Sequence, residues 1–109
     1  ENSKKIIQDK FLNPSHLLIS SQILNKDELI KKEDYAACAC AIQNLAISLA
    51  SSGVQIKWSS GEIIRNKKIY NILNIDPKSE EIIGFIWVGY GKILPEIKRP
   101  LINEIYKKI

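Results

Sequence analysis

The segment from Tyr35 to Gly61 constrains the fold more than any other part of this chain. It begins with a run of small and apolar residues, YAACACAIQNLAISLASSG, whose composition predicts a long helix over Tyr35–Ser52. Gly53 follows directly and suits a left-handed helix cap. A helix with so few polar side chains has to be covered on most sides. Because 109 residues form at most one modest domain, the pattern predicts that a second subunit covers part of this helix.

The rest of the chain alternates short helical and strand-like patterns. The predicted elements are a helix over Lys4–Leu12, a buried strand over His16–Leu24, a charged loop or fraying helix start over Asn25–Asp34 with Asp34 as the next helix cap, a short strand over Val54–Trp58, a turn over Ser59–Gly61, an amphipathic helix over Glu62–Leu73 and a strong strand over Glu81–Tyr90. Glycines at 84 and 89 would let another backbone or a ring approach that last strand. The tail after Gly91 is polar and broken by prolines. This mixture predicts an α+β fold whose sheet edges are incompletely paired.

Composition excludes several classes of protein. Only two of the 16 basic residues are arginine, which is a poor set for sequence-specific nucleic-acid recognition. No apolar run is long enough to cross a membrane, and the first residues have no signal-peptide core. Cys38 and Cys40 point apart on a helix, suit a reduced compartment such as the cytoplasm, and with a single histidine make no metal site. The absence of any methionine predicts that the sequence is a fragment of a longer protein.

The turn WSSG, Trp58–Gly61, is the best candidate for a binding site. Successive small residues that lead from a strand into a helix can aim N–H groups at phosphate or ring oxygens, and Trp58 could wall off a planar ring. Arg99 could grip a phosphate from the tail. The alternative is an ordinary strand–turn–helix in which a serine caps the helix. A serine nucleophile is disfavoured, since only His16 could serve as its base.

Taken in order, these residues resemble the C-terminal half of the nitroreductase family of flavin-dependent oxidoreductases. The resemblance extends from about Asn13 to Glu104. Its motifs are the acidic-Tyr-Ala start at Asp34, the Ala-rich helix with Gln43-Asn44, the W-x-[ST]-G turn, a short helix ending in NIL, the strand IIGFIWVGYG and the tail Lys98-Arg99-Pro-Leu.

The resemblance implies a partial three-layer α/β/α nitroreductase-like domain over residues 1–109, with the long helix buried and a mixed or antiparallel sheet. It also implies an FMN enzyme that passes hydride from NAD(P)H to nitro compounds, quinones or related acceptors, with no catalytic side chain of its own here. The long helix, Tyr35–Ser52, would pack in a homodimer with FMN at the interface. The residues implied to contact FMN are Trp58, Ser59, Ser60, Gly61, Lys98 and Arg99. The helix end, Ala50–Gly53, would lie near the nicotinamide nucleotide.

The sequence also departs from the family pattern. The Arg-Arg-Ser phosphate motif and the Pro-Trp segment of the family's N-terminal half are missing, and Ser59 stands where relatives often carry Arg. Two interpretations follow. The sequence is a fragment of a complete enzyme and is inactive by itself, or it is a truncated, non-catalytic dimerisation or interaction module of the same fold.

Overall fold

The computed structural model describes residues 2–91 and 96–108 of the chain. Its elements in order are α1 (Asn2–Leu12), β1 (His16–Ile23), α2 (Glu28–Ala50), β2 (Gln55–Ser59), a 3-10 turn (Glu62–Arg65), α3 (Lys67–Leu73), β3 (Glu80–Gly89) and α4 (Ile102–Ile105). The predicted helices and strands are thus confirmed in type, with the differences in extent given below. The prediction of an α+β fold is confirmed.

The three strands form one antiparallel sheet in the order β1-β3-β2. β3 is central. All of β1 pairs with one edge of β3, and β2 pairs with the other edge over the C-terminal half of β3, from Phe85 to Gly89. The central position, with helices on both faces of the sheet, explains why residues 82–88 are buried without a break.

A bulge in β3 decides which side chains reach each face of the sheet. Two adjacent serines of β1 pair with Gly84 and Ile82, so the intervening Ile83 has no partner on that strand. An extra residue shifts the alternation of side chains along a strand. Ile82 and Phe85 consequently share one hydrophobic cluster, whereas Ile83 lies in the other.

Helices cover both faces of the sheet, which gives three layers. On one face, Ile42, Cys38 and Leu49 of α2 pack against the cluster that contains Ile83 and Ile86. On the opposite face lie α1, the 3-10 turn and α3, whose packing side chains include Phe11, Ile64 and Tyr70. The Phe11 ring meets Phe85 at 6.4 Å and Trp87 at 5.6 Å between centroids, and the Trp87 Nε1–H donates to the Lys10 carbonyl at 3.0 Å.

The long helix starts earlier than its composition suggests. α2 begins at Glu28, so the prediction that Asp34 caps it is wrong. Asp27 is the cap: its Oδ1 accepts from the N–H groups of Leu29 at 2.8 Å and Ile30 at 3.3 Å. The first two turns of α2 are charged and face solvent. A charged composition is typical both of a loop and of an exposed helix start, so residue types alone do not distinguish the two. Gly53 adopts a φ of +74°, as predicted for the residue that ends the helix.

The single chain covers α2 on one side only, and the predicted cover by a second subunit stays a prediction. Within a single chain only Ile42 of this helix is buried, while Tyr35 is 42% exposed and Ile47 is 63% exposed. One chain therefore covers one side of the helix and leaves the other to solvent. No helix in the described ranges has the length and apolar character needed to cross a membrane.

The predicted helix over Glu62–Leu73 is two elements rather than one. Asn66 adopts an extended conformation between the 3-10 turn and α3, and its Oδ1 accepts from the Lys68 N–H at 3.0 Å. An asparagine side chain that bonds to nearby backbone competes with helix propagation. The interruption reorients the chain so that both Ile64 and Tyr70 are buried against the sheet.

Candidate functional site

The candidate turn, Trp58–Gly61, lies where β2 leaves the sheet. β2 pairs with β3 as far as Ser59, which is opposite Phe85. β3 continues beyond that point toward its N-terminus, so Ile83 and Gly84 have no partner residue on β2. β2 thus ends beside a stretch of β3, Ile83–Gly84, whose edge no residue of β2 covers.

The Trp58 side chain covers that stretch. Its Nε1–H donates to the Ile83 carbonyl at 3.2 Å, and its indole lies over Gly84 so closely that a Cβ at position 84 would come within 2.0 Å of Nε1. The indole N–H therefore replaces the backbone donor that β2 no longer supplies. The ring remains 38% exposed. The expectation that Gly84 permits close approach of a ring is confirmed.

The next residues present free backbone donors. Ser60 and Gly61 lie outside the strand and outside the 3-10 turn, and within residues 2–91 and 96–108 neither N–H donates a hydrogen bond. Both residues are exposed. A Cβ built on Gly61 would meet nothing within 4 Å, so the space beside the turn is open. Two unpartnered N–H groups thus stand beside a partly exposed indole, which is an arrangement suited to a flat ligand with acceptor atoms at its edge.

The structure does not bring Lys98 and Arg99 into this arrangement. Both are exposed in a part of the tail that has no regular secondary structure. In the described part of the chain, no hydrogen bond or ion pair joins either side chain to Trp58–Gly61. Their predicted role as phosphate contacts stays a prediction.

A Ser–His pair exists at the start of β1, but its geometry does not favour catalysis. Ser15 Oγ donates to the Val88 carbonyl at 3.0 Å, so its proton is directed to the backbone. His16 Nδ1 is 3.4 Å from the Ser15 Oγ, and both residues are exposed. A general base has to accept the proton of the nucleophile, but the Ser15 hydroxyl already donates its proton to the Val88 carbonyl.

Sequence reasoning missed a second polar region, close to the turn. Ser60 also lines a cavity of about 170 Å³ together with Tyr35, Arg65, Tyr70, Glu81 and the backbone region Ile82–Ile83. Tyr70 lies within the predicted amphipathic helix over Glu62–Leu73. The signal that could have revealed more is its hydroxyl, since a tyrosine on a buried helix face requires a hydrogen-bond partner.

Comparison with known proteins bears on this site and fold. No protein-family model matches the chain. It is 29% identical over 86 residues to a Bacillus subtilis (strain 168) protein named "Putative NAD(P)H nitroreductase YfhC", a match that covers 79% of this chain and 43% of that protein. The crystal structure of a nitroreductase-like family protein from Bacillus cereus superposes with a TM-score of 0.88 at 26% identity, covering 99% of this chain.

The chain is a relative of the nitroreductases. Its three-layer arrangement is the nitroreductase-like fold, so the predicted resemblance to the nitroreductases and the predicted fold are confirmed. This chain spans 43% of the length of the Bacillus subtilis relative and 58% of the Bacillus cereus chain, which is about half of each.

Proposed function

We propose that the protein to which this chain belongs is an FMN-dependent oxidoreductase that transfers hydride from NAD(P)H to nitro compounds, quinones or related acceptors. The family relationship supports an NAD(P)H-dependent oxidoreductase. The observation that carries the FMN proposal is the pair of N–H groups at Ser60 and Gly61, which have no partner among the residues that the structure describes and lie beside the partly exposed indole of Trp58.

The residues of the turn fit a flavin ring. Trp58 offers a flat apolar surface that the Ile83 carbonyl and Gly84 hold in place. Ser60 and Gly61 could donate to acceptor atoms along the ring, and the open space at Gly61 permits its approach. When bound, FMN would accept and pass on the hydride, while the chain supplies binding and orientation. Ser59 would complete the wall as the last strand residue.

Lys98 and Arg99 are the proposed contacts for the FMN phosphate. Both are exposed cations without an ion pair in ranges 2–91 and 96–108. A guanidinium matches the geometry of a phosphate with two parallel hydrogen bonds, so Arg99 is expected to contribute more than Lys98.

A homodimer through Tyr35–Ser52 is proposed as the working assembly. The side of α2 that faces away from the sheet exposes Ile47 together with small residues such as Ala36, Ala37 and Ala41. Small side chains let two helices approach closely, and the exposed apolar ones would be buried by a partner. The proposed location is the cytoplasm, which keeps thiols such as Cys38 and Cys40 reduced.

The second candidate is a non-catalytic dimerisation or interaction module of the same domain. The exposed apolar side of α2 favours it equally, because a module needs only that surface. The two candidates differ at the turn: an interaction module would not need the free N–H groups or the open space beside Gly61.

Activity of the full-length protein tests the proposal. We expect oxidation of NADH or NADPH that depends on an added quinone or nitroaromatic acceptor. Arg99→Gln is expected to weaken FMN binding about tenfold, as for loss of a charge-assisted hydrogen bond. Lys107→Gln makes the same charge change a few residues later and should leave FMN affinity unchanged. FMN-loaded protein that oxidises neither nucleotide with any acceptor would favour the interaction module.

A further inference from the structure

Two adjoining cavities lie between the start of α2 and the 3-10 turn with α3. The larger has a volume of about 460 Å³ and the smaller about 170 Å³. Arg65, Tyr70 and Glu81 line both, Lys31 and Lys67 line only the larger, and Tyr35 and Ser60 line only the smaller. These seven residues are called the Tyr70 cleft below.

Tyr70 provides a buried hydrogen-bond donor in this cleft. The residue is 8% exposed, and its hydroxyl oxygen accepts from the Ile82 N–H at 2.9 Å. A tyrosine hydroxyl can also donate one hydrogen bond. Within the described residues this hydroxyl donates to no acceptor. Tyr70 is a lining residue of both cavities. A buried donor normally has a partner, so a ligand acceptor would complete its bonding.

The charges of the cleft favour an anion. Arg65, Lys31 and Lys67 are three cations, against the single carboxylate of Glu81. Glu81 Oε2 already accepts from the Gln22 Nε2 amide at 2.8 Å, which draws that carboxylate toward β1. Lys31 is 3.8 Å from the exposed Glu28 carboxylate, a contact that contributes little. Arg65 makes no ion pair in ranges 2–91 and 96–108.

We propose that the Tyr70 cleft binds the phosphate or carboxylate group of a small molecule. The Arg65 guanidinium supplies the charge and a pair of donors, the Tyr70 hydroxyl donates from the buried side, and Lys31 and Lys67 attract the anion at the wider mouth. This site is separate from the proposed FMN phosphate contacts at Lys98 and Arg99. It adjoins the flavin turn through Ser60, which lines the smaller cavity.

Titration of the full-length protein with inorganic phosphate, and separately with acetate, tests the proposal at constant ionic strength. Amide and arginine side-chain NMR signals report binding without any need for flavin or activity. We expect saturable shifts at the signals of Arg65 and Ile82 with at least one of the two anions. Binding of both identifies a general oxyanion site, and binding of phosphate alone identifies a phosphate site.

Matched variants decide where the anion binds. Arg65→Gln is expected to weaken binding about tenfold, as for loss of one charge-assisted hydrogen bond. Lys68→Gln removes the same charge from a neighbouring residue that lines neither cavity, and should leave affinity unchanged. Tyr70→Phe should weaken binding in protein whose circular dichroism is unchanged. Shifts that do not saturate with either anion, or equal losses in R65Q and K68Q, would overturn the proposal. So would binding that is lost in Arg99→Gln but kept in R65Q.

Discussion

The indole of Trp58 lies directly on the backbone of Gly84 and donates its Nε1–H to the neighbouring Ile83 carbonyl at 3.2 Å. This contact closes the edge of β3 at the point where β2 ends, opposite Phe85. It fixes the ring next to the free N–H groups of the turn. The same residue thus completes the sheet and forms one wall of the proposed flavin site.

Gly84→Ala is expected to displace the Trp58 ring and to destabilise the fold by about 1–3 kcal/mol, as for overpacking in a core. A Cβ there would fall 2.0 Å from Nε1, and β3 is buried at this position. Gly61→Ala is the control, because its added Cβ meets nothing within 4 Å and its φ of −66° suits any residue. Urea denaturation compares the two variants. Equal stability of both would contradict the contact.

Tyr70→Phe is expected to lower the free energy of unfolding by about 1–3 kcal/mol, because it leaves the buried Ile82 N–H without an acceptor. Tyr106→Phe removes a hydroxyl from a residue that is 67% exposed and should cost almost nothing. Thermal or urea denaturation measures both. A cost in Y106F as large as in Y70F would argue against a structural role for the Tyr70–Ile82 hydrogen bond.

Asp27→Ala is expected to destabilise the protein by about 1 kcal/mol, the usual effect of losing a helix cap. Its carboxylate accepts from two N–H groups at the start of α2. Asp34→Ala changes the same residue type inside the helix, where no cap is lost, and should be close to neutral. A larger loss of stability in D34A than in D27A would contradict this cap and would indicate that the helix begins near Tyr35.

Ile47→Asp is expected to convert the proposed homodimer to monomer, since it places a charge on the exposed side of α2. Ile72→Asp is the control: Ile72 is 76% exposed on α3, outside the proposed interface. Size-exclusion chromatography with light scattering measures the mass of each. A wild-type protein that is monomeric, or an I47D variant that remains dimeric, would contradict the assignment of this surface.

The positions of the elements could be predicted from the sequence, because local patterns govern them. The Ala-rich run and the β-branched run at 80–89 each have one strong interpretation. Two local features could not be predicted. Asp27 and Asp34 are equally good caps by residue type, and only the hydrogen bonds distinguish them. The break at Asn66 depends on a side chain turning back to the backbone.

The cleft around Tyr70 could not be predicted for a different reason. Arg65 and Tyr70 flank that break and Glu81 is the second residue of β3, so their proximity depends on how α3 packs on the sheet. At the turn, residues 58–61 are consecutive, and the sequence was sufficient to bring them together. The link between that turn and Lys98 and Arg99 rested on their charge and on the family resemblance, and the described structure shows no contact between them.

The visible absorption spectrum of the purified full-length protein tests the central claim most directly. We predict the bands of bound oxidised flavin, which bleach when NADH or NADPH is added without oxygen. Heat should release a flavin that co-migrates with FMN. A colourless protein that takes up no FMN on incubation, although it is folded, would contradict the proposal that Trp58–Gly61 forms part of a flavin site.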